Sequence, residues 1–167
     1  MTSTADLFDA NPSSAAVCDV QFRSFGARTA FSGPCLTLLS HEDHRPVLMT
    51  LSVPGNGRVL VVDVRGSMRT GVLGDRLASK AVSNGWAGVI VHGVIRDSEA
   101  LHDLDVGIKA IGTTARRSEV ERGGVTGGPV SFGGVTFNTG DWVYADLDAV
   151  IVARSELSLP STSPASY

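Results

Sequence analysis

The sequence predicts a single α/β domain with a parallel β-α-β unit at its centre and antiparallel strands towards its C-terminal end. Two apolar runs, Val59-Leu-Val-Val-Asp-Val64 and Ala87-Gly-Val-Ile-Val91, do not alternate with polar residues, as expected of strands covered on both faces. Between them the turn Gly71-Val-Leu-Gly-Asp75 opens a helical stretch through Asn84, and Gly85 stops it. Beyond Gly123, glycine pairs at 123–124, 127–128 and 133–134 punctuate short β-prone runs: Val130-Ser-Phe132, Val135-Thr-Phe137, Trp142-Val-Tyr144 and Ala149-Val-Ile-Val152. That texture predicts antiparallel sheet with tight turns. At 167 residues and 43% hydrophobic content, one domain can bury its own core without staples.

Residues 1–14 are polar and broken at Asn11-Pro-Ser-Ser14, which predicts a flexible N-terminus with a short fraying helix over 5–10. The domain proper spans 15–153. Its first quarter reads as sheet plus connections, with Phe31-Ser-Gly-Pro-Cys-Leu-Thr-Leu-Leu-Ser40 a strand whose start Pro34 marks. His41-Glu-Asp-His44 has imidazoles beside carboxylates that could share an ion, but it lacks the helical His-Glu-x-x-His context and reads as a polar loop. Residues 46–53 suit helix or strand. Residues 96–104 carry acids early and apolar Ala100, Leu101 and Leu104, a short helix, and Gly107-Ile-Lys-Ala-Ile-Gly112 is a further strand. Residues 116–122 mix arginines with Glu119 and Glu121 and read as a solvated loop. From 154 to 167 the chain is rich in Ser and Pro, which predicts a disordered tail.

A net charge of -3 and a pI near 5.7 leave no basic footprint for direct nucleic-acid binding, while a protein partner stays open. Cys18 and Cys35 lack the spacing of a zinc pair or a CxxC redox motif. With no signal-peptide core before them, they predict two reduced core thiols in a cytoplasmic protein. No apolar run approaches the ~18 residues of a membrane span.

The central unit carries the chemistry. Both strands of a right-handed parallel crossover end on one sheet edge, where open α/β sheets bind ligands. That places Asp75, at the helix start, and Arg96-Asp97, past the second strand, on one crevice. Helix-start amides over Leu73, Gly74, Asp75, Arg76 and Leu77 can hold a carboxylate. The Arg96 guanidinium can grip a carboxylate or enolate oxygen with two N–H groups, and Asp75 and Asp97 can hold a hard divalent cation directly or through water. Together these suit a small 2-oxo acid and the enolate charge that develops on it. Taken alone, Gly-x-x-Gly-Asp also begins many ordinary helices, and Arg-Asp is often a surface ion pair.

Gly71-Val-Leu-Gly-Asp75, twenty intervening residues and then Arg96-Asp97 resemble the D-x20-R-D pattern of the family containing regulator of ribonuclease activity A and class II 4-hydroxy-4-methyl-2-oxoglutarate aldolases. Cys18-Asp19, Phe31-Ser-Gly-Pro34, Gly85-Trp86-x-Gly88, Gly107-Ile-Lys-Ala-Ile-Gly112 and Gly140-Asp-Trp-Val-Tyr-Ala-Asp146 extend the resemblance over roughly residues 15–153. It implies a swivelling β/β/α fold assembled as a homotrimer, with sites near subunit interfaces. It also implies Mg²⁺ or Mn²⁺, retro-aldol cleavage of 4-hydroxy-4-methyl-2-oxoglutarate to two pyruvates, and oxaloacetate decarboxylation through the same enolate. By position, Asp97 is then the metal ligand and Asp75 holds metal-bound water. Arg96 binds substrate and stabilises the enolate, and the stretch from Gly74 to Leu77 contacts substrate.

The chain has only two lysines, Lys80 and Lys109, which favours metal over imine chemistry because a Schiff-base aldolase needs a desolvated lysine. Lys80 falls mid-helix and reads as surface; Lys109, in a strand, keeps a small claim. His92 and His102 are the histidines near the site segment, and His92 reads as a satisfied core or edge residue. The chain departs from longer aldolases, whose C-terminal extension supplies an acidic residue to the neighbouring site, and Ala149 stands where many relatives have Gly. The resemblance equally allows a non-catalytic regulator that binds a ribonuclease. A menaquinone-pathway methyltransferase finds no support, since no GxGxG-type loop with a following acidic ribose binder is present.

Overall fold

The computed structural model describes residues 1–159. In chain order the elements are α1 (Thr4–Ala10), β1 (Ala15–Cys18), β2 (Arg23–Ser24), β3 (Phe31–Ser40), α2 (Arg45–Leu51), β4 (Val59–Asp63), α3 (Asp75–Ser83), β5 (Gly88–Ile95) and α4 (Ser98–Leu101). The remainder is strand: β6 (Gly107–Thr113), β7 (Gly124–Thr126), β8 (Val130–Phe132), β9 (Val135–Phe137), β10 (Trp142–Ala145) and β11 (Val150–Ala153). The fold is the mixed α/β single domain that the sequence predicts.

The sheet runs β1-β11-β10-β3-β4-β5-β6-β2, with β7 also on β3 and β8–β9 a separate hairpin. From β3 to β6 the pairings are parallel; those of β10 with β3 and β11, and of β11 with β1, are antiparallel. All five residues of β4 are buried because the strand is covered on both sides. Leu60 and Val62 join a core with Val47 and Leu51 of α2 and Ala78 and Ala81 of α3. Val59 and Val61 point the other way, onto Phe132, Phe137 and Val143. Period-two alternation thus assigns successive residues to different cores, and both are apolar.

Several expectations resolve differently in three dimensions. Pro34 lies inside β3 rather than at its start. Residues 31–34 pair with β10, and the parallel pairing with β4 begins at Cys35, so the residue without an N–H stands at the change of partners. The segment that suited helix or strand is helix as far as Leu51: Pro46 sits in the first turn of α2, where its missing N–H costs nothing, and Val47, Thr50 and Leu51 form the buried face. The helix expected over 96–104 shortens to the single turn of α4. One further strand, β7, lies between the first two glycine pairs and pairs antiparallel with the end of β3.

The short helix expected over 5–10 is present as α1, and it is tied to the rest of the domain. Ser3 caps α1, and Thr4 donates from its N–H and its hydroxyl to Asp146 at 2.7 and 2.8 Å. Leu7 is buried with Tyr144 and Ile151. The expected tail also begins attached: Arg154 pairs with Asp141 at 2.8 Å, and the Leu157 N–H donates to the Tyr144 hydroxyl at 2.7 Å. Residues 160–167 lie outside the described residues. Both thiols are free and buried, as expected. No helix among the described residues is long and apolar enough to cross a membrane.

Candidate functional site

The site forms where the chain after β4 returns to the sheet. Residues 71–73 lie between the end of β5 and the segment after β6: Gly71 bridges both Val94 and Arg117 in parallel fashion. The Gly71 N–H donates to Arg116 O at 2.9 Å, Val72 N–H to Val94 O at 3.2 Å, and Arg96 N–H to Leu73 O at 2.8 Å. These bonds seat the start of α3 against Arg96-Asp97, at the C-terminal ends of the parallel strands.

Both glycines of the turn are needed for that approach. A Cβ on Gly71 would lie 2.4 Å from Arg96 Cγ, and one on Gly74 would lie 2.6 Å from Asp97 Oδ2. Asp97 adopts a left-handed conformation, φ 58°, ψ 37°, uncommon for a residue with a side chain. The turn aims its carboxylate at the start of α3, where Oδ2 accepts from the Asp75 N–H at 3.3 Å. Asp75 Oδ1 accepts from the Arg76 N–H at 2.7 Å.

A crevice of about 120 Å³ is lined by Gly71–Leu77, Arg96, Asp97, His44 and Arg117. Asp75, Arg76, Arg96 and Asp97 therefore meet on one crevice, as the spacing predicts. Leu73 and Leu77 also line the crevice, and their side chains are buried in the core beside α3. The helix-start amides are also partly filled already, those of Asp75 and Arg76 by the protein's own carboxylates. The Arg96 Nε is buried without a hydrogen-bond partner among the described residues. A buried guanidinium N–H left unpaired costs on the order of 1–3 kcal/mol, which an oxygen-bearing ligand would relieve.

Two residues of the crevice escaped the sequence. Arg117 belongs to the segment read as a solvated loop, and nothing in its alternating charges signals the bridge to Gly71 that carries it in. His44 stands beside His41 as one of a pair that could share an ion and reads as part of a polar loop, which does not bring it to the crevice either. Among the described residues no such cluster of His, Cys, Asp or Glu assembles. Asp43 instead accepts from the backbone N–H groups of Arg45, Arg122 and Gly123 and from the Arg45 guanidinium, all at 2.8–3.0 Å. Burial pushes its carboxyl up, but these donors prevail and hold it at about 2. His44 points its ring to Ser118, with Nδ1 2.5 Å from Oγ.

The other titratable candidates lie elsewhere. Lys109 is 2% exposed. Its Nζ donates to Ser24 Oγ at 2.7 Å and to the Asp146 carbonyl, tying β6 to β2 and to the turn after β10. Burial pushes its pKa down, opposed by Asp146 and Asp148. Lys80 is exposed on α3, and neither lysine lines the crevice. His92 lies within β5, with Nδ1 2.9 Å from Asp63 Oδ1 and its ring stacked on Phe132, a satisfied packed residue.

A profile of the RraA-like family (Aldolase/RraA) matches residues 4–152. The chain belongs to that family. A Xanthomonas campestris pv. campestris protein, provisionally named 4-hydroxy-4-methyl-2-oxoglutarate aldolase, is 46% identical over 157 residues, 94% of each chain. The structure described as the RNA-processing inhibitor RraA from Thermus superposes with a TM-score of 0.89 at 36% identity, covering 98% of both chains. One from Geobacillus kaustophilus, described as an S-adenosylmethionine:2-dimethylmenaquinone methyltransferase, gives 0.90 at 43% identity, covering 93% of this chain and 96% of that one. Three kinds of name thus sit on one RraA-like fold, and the crevice has to discriminate between them.

Proposed function

We propose that this RraA-like protein is a cytoplasmic, homotrimeric, divalent-metal-dependent lyase. It cleaves 4-hydroxy-4-methyl-2-oxoglutarate to two pyruvates through a pyruvate enolate and decarboxylates oxaloacetate as a side reaction. The observation that carries this reading is the buried, unpartnered Arg96 Nε in a crevice shared with Asp75 and Asp97. A guanidinium held in that state suits an oxygen anion that forms during reaction.

The donor set fits Mg²⁺ or Mn²⁺ rather than zinc: one or two carboxylates, with room left for water and substrate oxygens. Asp97 would hold the ion directly and Asp75 through water. Once bound, such an ion supplies Lewis-acid stabilisation to the charge on the keto oxygen. Arg96 binds the 2-oxo acid and steadies the same oxygen from the protein side. Backbone along Gly74–Leu77 orients the substrate carboxylate, and the buried side chains of Leu73 and Leu77 keep that backbone rigid.

Pyruvate release from both substrates is the test, measured with Mg²⁺ or Mn²⁺ and again with chelator. Metal-dependent turnover that an Arg96→Ala variant lacks is the expected result. Wild-type turnover no greater than that of the variant sinks the proposal. Light scattering checks the trimer, which a clean monomer would contradict.

A second reading, binding and restraint of a ribonuclease, is supported by the 36% identity to the Thermus RraA across nearly both whole chains. On that reading Arg96→Ala leaves inhibition of the ribonuclease intact. The methyltransferase description of the Geobacillus relative is not carried over, because the turn at Gly71–Asp75 presents carboxylates at the helix start rather than a glycine-rich nucleotide loop.

A further inference from the structure

We propose that His44 is a catalytic residue of this crevice, the base that takes the substrate hydroxyl proton and returns it to the enolate carbon. This rests on the lyase reading above. His44 stands just before α2 and is fixed through one neighbour: its backbone N–H donates to Ser118 Oγ at 3.3 Å, and its ring Nδ1 lies 2.5 Å from the same oxygen. Ser118 is itself buried. With Nδ1 engaged, Nε2 is the ring nitrogen left for a ligand in the crevice that His44 lines.

The other groups lining that crevice are poorly suited to proton transfer at neutral pH. Arg76, Arg96 and Arg117 do not give up their protons. Asp75 and Asp97 already accept from backbone amides and are the groups placed toward the cation. Among the described residues no lysine, thiol or second imidazole lines the crevice. Charge around His44 favours the neutral base. Burial lowers its pKa first, Arg45 beside it, Arg117 after β6 and Arg96 after β5 act the same way, and Asp43 opposes them.

The step balances without a co-reactant. Nε2 takes the proton from the C4 hydroxyl, the C3–C4 bond breaks, and its electron pair passes into the keto group as the enolate. The hydroxyl carbon becomes the carbonyl of one pyruvate. The imidazolium then delivers its proton to C3, which becomes the methyl group of the second. Oxaloacetate decarboxylation needs no hydroxyl deprotonation, because the bond to the leaving carboxylate breaks directly and solvent can protonate the enolate.

The two reactions therefore separate the role of His44 from that of the site as a whole. A His44→Asn variant keeps a good helix-capping residue. Its kcat for 4-hydroxy-4-methyl-2-oxoglutarate should fall by about 10²- to 10⁴-fold. Its oxaloacetate decarboxylation should fall by no more than about tenfold. In wild type, aldol kcat/KM should show an acid limb lying below the ordinary histidine range, and the limb should disappear in the variant. A His44→Gln variant, compared by thermal melting, repeats the measurement if the first folds poorly. Equal losses in both reactions, or no loss in either, overturn the assignment of His44 while leaving the lyase reading standing. Wild-type protein inactive on both substrates overturns the lyase reading itself.

Discussion

A Gly74→Ala change would press on the site through one methyl group. Gly74 has φ -136° and ψ -170°, extended backbone open to any residue, so the substitution strains no dihedral. Its Cβ, however, would lie 2.6 Å from Asp97 Oδ2, about 0.8 Å short of the 3.4 Å where ordinary van der Waals contact begins. Asp97 is exposed, so its carboxylate gives way rather than the backbone, and its contact with the Asp75 N–H is lost. Misplacing a catalytic group by about 1 Å can cost on the order of 10²-fold in rate. Replacing glycine by alanine at a helix N-cap should cost the fold only about 1 kcal/mol, or roughly 2–4 °C in Tm for a domain of this size. Mg²⁺-dependent oxaloacetate decarboxylation, assayed beside a thermal melt, reads both quantities. Activity within about threefold of wild type would refute the reasoning that Gly74 makes room for Asp97. A Tm loss beyond about 10 °C would show that the fold, not the carboxylate, absorbs the clash.

Other consequences can be measured independently. Asp97→Ala should lose metal binding, read by titration calorimetry, while keeping the wild-type far-UV circular dichroism and mass in solution; unfolding would make Asp97 a structural residue. Asp43 has its carboxyl depressed from 3.8 to about 2, so it contributes stability above the unfolded value that is lost as pH falls through the folded one. The shift corresponds to about 2–3 kcal/mol. Denaturant unfolding should therefore show an Asp43→Asn variant weaker by about that amount at pH 6, with the gap closing towards pH 2, and parallel curves would contradict the assignment. Burial, with Asp141 adding to it, pushes the Cys35 thiol up to about 12 against backbone hydrogen bonds that lower it. A disulfide reagent at pH 8 should leave Cys35 untouched in the folded protein and react once denaturant is added. Rapid labelling without denaturant would refute its burial.

What the sequence determined by itself was the local grammar of the centre. Uninterrupted apolar runs on β4 and β5 require cover on both faces, Gly85 ends α3, and paired positive-φ glycines at 133–134 make the β8–β9 hairpin. The twenty-residue spacing between Asp75 and Arg96 brings them to one edge because strand, turn, helix and strand each have fixed length per residue. Only the tertiary structure decided which other residues share that edge. His44 and Arg117, with the Ser118 that holds the His44 ring, come from segments whose own sequences read as polar loops, and they are brought together through a bridge to Gly71 and a carboxylate, Asp43, that gathers amides from two loops. The same holds for the chain ends: the polar run before residue 15 is held because Asp146, far away in sequence, accepts both donors of Thr4. Periodicity reports what a segment buries, whereas long-range hydrogen bonds between polar loops leave no periodic trace. The glycines at 71 and 74 join the two levels. In sequence they spell a turn, and in the fold they are the space that Arg96 and Asp97 occupy.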